Sequence, residues 1–187
     1  MPSVTVNVDG FDVPVEVTGP ENGSVVVLLP AANQSPAAYS AVCERLHTAS
    51  LRTVVVGPAP RLTANAVIGV LDALDIRWAL LVGDRLGAEL AWELAATRLD
   101  RFIGLVVIDR GHPRVADLAG VIRDESCAPV ELNTTALVST SAAKAVAKAS
   151  QRYVYGEYRI VELLGRRNAA DSTAQLAAEI VMRTSTW

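Results

Sequence analysis

Short, continuous apolar runs, each followed by a stretch with helical periodicity, restrict this chain more than any other feature. The runs are SVVVLLP at 24–30, RTVVV at 52–56, WALLV at 78–82, FIGLVVI at 102–108, TTALVST at 134–140 and YRIVELL at 158–164. A strand buried on one face alternates apolar and polar residues, whereas unbroken Val, Ile and Leu belong to strands covered on both faces. Between and after the runs, helical patterns cover 36–49, 62–74, 86–97, 115–123, 142–150 and 172–184. Regular alternation of this kind predicts a parallel sheet with right-handed crossovers and helices on both faces. Ahead of it, SVTVNVDG and FDVPVEVTG alternate on either side of Asp9-Gly10, the signal for a tight antiparallel hairpin. The expected architecture is a three-layer α/β sandwich, one domain over 1–187, with a mostly parallel sheet and an N-terminal hairpin.

A chain of 187 residues, 51% hydrophobic and 20% charged, has the size and balance to bury one core. Its net charge of -3 argues against nonspecific nucleic-acid binding, which needs an excess of Lys and Arg. Cys43 and Cys127 lie far apart with no histidine at ligand spacing, so neither a disulfide nor a metal site is expected. No cofactor motif is present: Gly83 to Gly87 has neither G-x-G-x-x-G nor a P-loop Lys-Ser/Thr. The segment MPSVTVNVDG has no basic stretch leading into an apolar one, and no run of about 18 uncharged apolar residues follows. The expectation is a cytoplasmic protein with no membrane partner.

In open parallel sheets, ligands bind beyond the carboxyl ends of the strands. After WALLV the chain reads Gly83-Asp84-Arg85-Leu86-Gly87 and then enters a helix carrying small residues Gly87, Ala91 and Ala95. Leu86, Leu90, Ala91, Leu94 and Ala95 read as its core-facing stripe. Strand, G-x-x-x-G and small-residue helix together resemble the nucleophile elbow of the alpha/beta-hydrolase superfamily. The likeness extends over nearly the whole chain and is strongest from Ala66 to Asp109. It implies a hydrolase-like fold. The connection after FIGLVVI, about 25 residues through Asn133, is short for the family's usual lid, so no cap domain is expected.

The resemblance also says where catalytic groups belong, and there this sequence departs from it. The nucleophile position is Arg85, and a guanidinium cannot attack a carbonyl. The acid position falls in Ser139-Thr140-Ser141-Ala142-Ala143, which holds no carboxylate. The histidine position falls near Arg166 and Arg167, and both histidines, His47 and His112, come much earlier. Oxyanion donors could still come from the amides of Ala31 or Ala32, after the first covered strand, and of Leu86.

Several arginines fall after strand ends: Arg61, Arg85, Arg110 with Arg114 and His112, and Arg166 with Arg167. Two readings stand side by side. One is a pocket for a small anion, held by forked guanidinium bonds from Arg85 and Arg166 or Arg167, with Ala31, Ala32, Asp84, Leu86, Arg110 and His112 around it. The other is a set of solvated ion pairs with nearby aspartates such as Asp84, Asp109, Asp117, Asp124 or Asp171. His112, before Pro113, reads as a surface residue, and Trp78 and Trp92 as packing, Trp92 on the outer part of its helix. The functional expectation is a binding, scaffold or regulatory module without the triad. A homodimer or another protein is a further expected partner. The alternative is an enzyme of altered chemistry in which Asp84 and His112 transfer protons.

Overall fold

The computed structural model describes residues 3–60, 62–164 and 172–185. An eight-stranded sheet runs in the order β1-β2-β4-β3-β5-β6-β7-β8. The hairpin forms as expected from β1 (Ser3–Val8) and β2 (Phe11–Thr18), with Asp9 and Gly10 both at positive φ. β2 pairs antiparallel with β4 (Leu51–Val56). From there the sheet is parallel through β3 (Ser24–Leu29), β5 (Ala79–Asp84), β6 (Phe102–Ile108), β7 (Thr134–Val138) and β8 (Tyr158–Glu162). The expected runs are therefore strands; those of β5 and β7 are buried at every position, whereas β8, expected to be covered on both faces, is the last strand of the sheet and has no fully buried residue.

Alternation of side chains divides the core into two layers. Val26, Leu28, Leu80, Val82, Val106 and Ile108 face α1 (Ser40–Thr48) and α5 (Thr173–Thr184). Val27, Leu29, Leu81, Leu105 and Val107 face α2 (Ala64–Ala73), α3 (Leu86–Thr97) and α4 (Ser141–Ser150). Thr63 and Thr140 start α2 and α4 by accepting the amides of Ala66 and Ala143, which otherwise lack a partner at a helix start.

Two sequence expectations need correction. Residues 115–123 are not helical. The Asp117 carboxylate takes the amides of Ala119 and Val121, and Gly120 sits at positive φ, so side-chain hydrogen bonds close a turn instead. The core-facing stripe of α3 is also rotated. Ala88, Ala91, Trp92, Leu94 and Ala95 are buried, whereas Leu86 is 54% exposed. The cause is Gly87: a Cβ there would stand 1.9 Å from the Leu29 carbonyl oxygen, so the helix rests its backbone against β3 and turns Leu86 outward.

Candidate functional site

The turn from β5 into α3 is closed by sterics. A Cβ on Gly83 would lie 2.5 Å from Cα of Ala88, and the Gly87 approach to β3 forbids one there too. Arg85, between them, has φ 49 and ψ -103, a backbone conformation that non-glycine residues rarely adopt. Its amide donates to the Ile108 carbonyl, and its carbonyl accepts from Ala88 and Glu89. The elbow that Gly83-Asp84-Arg85-Leu86-Gly87 resembles is thus built in full, with a guanidinium on its apex.

Arg85 is 26% exposed, and its Nη1 lies 3.5 Å from Oδ1 of Asp84, whose side chain is 3% exposed. That separation makes an ion pair without a hydrogen bond, and Asp84 Oδ1 is buried with no hydrogen-bond partner. The other carboxylate oxygen accepts from the Tyr39 hydroxyl at 2.7 Å. Tyr39 in turn accepts the Ala31 amide at 3.1 Å. The donor expected from Ala31 is therefore occupied from inside the protein. Burial pushes the Asp84 carboxyl up from the ordinary aspartate range, while the Tyr39 bond and the Arg85 charge pull the other way. The Tyr39 hydroxyl is raised as well, first by burial and then by the neighbouring Asp84 charge.

Asp109 follows β6 at positive φ, and its carboxylate accepts both the amide and the hydroxyl of Ser139. The segment Ser139-Thr140 ahead of α4 thus contains no acid of its own but receives one from the end of the neighbouring strand. Ala142 and Ala143 themselves are in the first turn of α4.

His112 is fully buried, not at the surface. Its Nε2 donates to the Ala128 carbonyl and its Nδ1 accepts the Arg114 amide, with the ring stacked on Tyr153 and edge-on to Trp92. Burial lowers its pKa, so the neutral ring is favoured. The Asp84 and His112 side chains each bond elsewhere, so the direct proton-transfer pair is not formed. Trp92 is also interior rather than on the outer part of α3, and its indole N–H reaches the Arg110 carbonyl. The ring of the other histidine, His47, bonds to Thr18 and to Thr53, a fully buried threonine in the first half of β4.

Arg110 pairs with Glu89 at 2.9 Å, and Arg123 approaches the same carboxylate at 3.6 Å. The ion-pair partners are thus Asp84 and Glu89, the latter not foreseen from sequence. Arg61, Arg166 and Arg167 lie outside the described residues.

Beside the elbow lies a cleft of about 770 Å³. Ala31 and Ala32 form one wall, the 56–60 segment with Leu62 and Thr63 another, and Leu86, Glu89, Leu90 and Glu93 of α3 the third. Among the described residues its charged lining is the two glutamates, and the Arg85 side chain lies next to this lining rather than within it. Sequence reading missed Tyr39, Glu89 and Glu93. The glutamates were legible, because 86, 89, 90 and 93 follow helical spacing on one face; Tyr39 carried no local signal.

No described group of three or more His, Cys, Asp or Glu is arranged to hold a metal ion, and no described helix is long and apolar enough to cross a membrane. No family model and no curated protein sequence matches the chain. Solved structures do resemble it. They include a hydrolase from Pseudomonas aeruginosa PA01, at 15% identity over 98% of both chains with TM-score 0.79. Epoxide hydrolase A from Mycobacterium thermoresistibile is 11% identical over 99% of this chain and 98% of its own, TM-score 0.80. The enol-lactonase from Burkholderia xenovorans LB400 is 16% identical over 97% and 100%, TM-score 0.79. With this sheet order, this hairpin, this elbow and these structural neighbours, the chain has the alpha/beta-hydrolase fold.

Proposed function

We propose that this protein is a non-catalytic binding module, in which the hydrolase elbow is kept as a structural turn and the adjoining cleft takes a small molecule. The observation that carries this reading is Arg85 at the apex of the elbow. A cation with no lone pair for attack occupies the place where an acyl-transfer enzyme needs its nucleophile. Both imidazoles are committed to internal bonds away from that apex, which supports the same conclusion. The apolar walls of the cleft suit a ligand with a compact apolar body. An anionic group on that ligand would contact Arg85 next to the first turn of α3, where helix amides add positive partial charge.

The test is a pair of measurements. Wild-type protein is expected to leave simple esters, thioesters and epoxides unchanged. Small carboxylic and sulfonic acids with apolar bodies are expected to bind saturably, and the Arg85→Ala variant to lose that binding. Turnover by the wild type that persists in Arg85→Ala overturns the reading. The second reading, an enzyme of different chemistry, draws on the hydrolase neighbours and on the buried carboxyl of Asp84; it would need a proton partner other than His112.

A further inference from the structure

We propose that Asp84 is a built-in competitor for the Arg85 guanidinium, so that capture of an anion at the elbow is coupled to uptake of a proton by Asp84. This rests on the binding reading above and adds its regulation. The geometry that points to it is an incomplete pair. Arg85 approaches Asp84 Oδ1 at 3.5 Å without a hydrogen bond, and among the described residues its guanidinium has no other ion pair or hydrogen-bond acceptor. A guanidinium offers a fork of donors suited to two oxygens of one acid. Here that fork is neutralised but not filled.

Among the described residues, the other charged and titratable groups facing Asp84 are already engaged. Tyr39 donates to Oδ2, Asp109 is held by Ser139, and Arg110 is held by Glu89. An anion arriving at Arg85 therefore places a second negative charge beside a carboxylate that is 3% exposed, and among the described residues no unpaired cation beside Asp84 offsets it. Like charges in a buried setting favour protonation of one of them. A neutral Asp84 keeps its bond from Tyr39, since an acid oxygen still accepts, and its Oδ1 becomes an O–H donor that can turn toward the incoming anion. Only the ion pair is lost. The proton comes from solvent, and no covalent bond forms or breaks.

The burial that raises the Asp84 carboxyl points the same way. Because the two events are linked, each favours the other by the same factor. Affinity for a permanently ionised ligand must then rise as pH falls.

The probe is methanesulfonate, which keeps one negative charge between pH 5 and pH 8. It is titrated into 15N-labelled protein by NMR, following the Arg85 amide and Nε–H, with proton uptake read by calorimetry in buffers of different ionisation enthalpy. Wild type is expected to bind about tenfold more tightly at pH 5 than at pH 8, with net proton uptake. Asp84→Asn is expected to bind tightly at both pH values with no proton uptake. Arg85→Ala is expected not to bind. Binding lost in Arg85→Ala but independent of pH in the wild type, without proton uptake, overturns the competitor and leaves the binding site standing. Binding retained in Arg85→Ala, or absent in the wild type at every pH, overturns the site itself. The wild-type proton count decides the matter even if Asp84→Asn does not fold.

Discussion

Two neighbouring loops leave the same edge of the sheet and are specified in opposite ways. The turn after β5 is defined by what cannot fit: a side chain on Gly83 or Gly87 would strike the backbone of α3 or β3. The connection after β6, from Asp109 to Asn133, is defined by side chains that bond. Asp117 folds its turn, Arg123 donates to the Gly111 carbonyl, and His112 bonds across to Ala128. The steric constraint needs only that two positions carry no side chain, so the glycines mark it in the sequence even though the backbone that Gly87 meets, at Leu29, belongs to another strand. The bonded connection mixes a local turn at Asp117 with the His112–Ala128 and Arg123–Gly111 bonds, whose partners lie 16 and 12 positions apart and meet only after folding.

If this contrast holds, Gly87→Ala has the largest effect. The new methyl must displace the Leu29 carbonyl, which is backbone, and destabilisation of about 3 kcal/mol or more is expected in urea melts. A loss under 1 kcal/mol would show that the elbow is not set by sterics. His112→Ala comes next, at about 2–3 kcal/mol, because it opens a cavity between Tyr153 and Trp92 and leaves the Ala128 carbonyl without its donor.

A pH series sharpens the second half of the comparison. His112 is buried neutral with its folded pKa depressed below the ordinary 6.5. Its contribution to stability is therefore complete above 6.5 and is lost as pH falls toward the folded value. The Asp117 carboxyl is held low by the Val121 and Ala119 amides, so its contribution is present above the ordinary carboxylate range and lost in stronger acid, as pH falls through the folded value. Thermal melts should show the His112 component as a decline beginning near neutrality, absent in the His112→Ala variant. An identical acid profile for both proteins would remove the buried-neutral account.

The smallest expected effect is on catalysis. Arg85→Ser restores an elbow hydroxyl but supplies no base, so ester hydrolysis should stay at the level of the wild type. A gain of 100-fold or more would mean that a general base does reach the apex.

Much of this contrast was legible beforehand. Gly83 and Gly87 announce the turn because its two side-chain-free positions fall within five consecutive residues, although the Leu29 backbone that requires the second lies elsewhere in the chain. The connection misled: 115–123 has helical spacing, but the Asp117 carboxylate takes amides that a helix would have used. His112 before a proline looks exposed on paper, and it is Trp92 and Tyr153, the latter 41 positions further along the chain, that pack against its ring. Tyr39 was invisible for the same reason. Its reach to Asp84 spans 45 positions, and nothing in PAAY marks a side chain that will block the Ala31 amide.

The amino-acid order alone determined the strands, the hairpin at Asp9-Gly10 and the cation on the elbow, because apolar periodicity, turn chemistry and residue identity need no knowledge of distant neighbours. Tertiary structure decided which way α3 faces, that Arg110 meets Glu89, and that the Ala31 amide is already taken. Those outcomes depend on long-range contacts at distances of 3 to 4 Å, where hydrogen bonds and ion pairs have their strength, and no spacing along the chain encodes them.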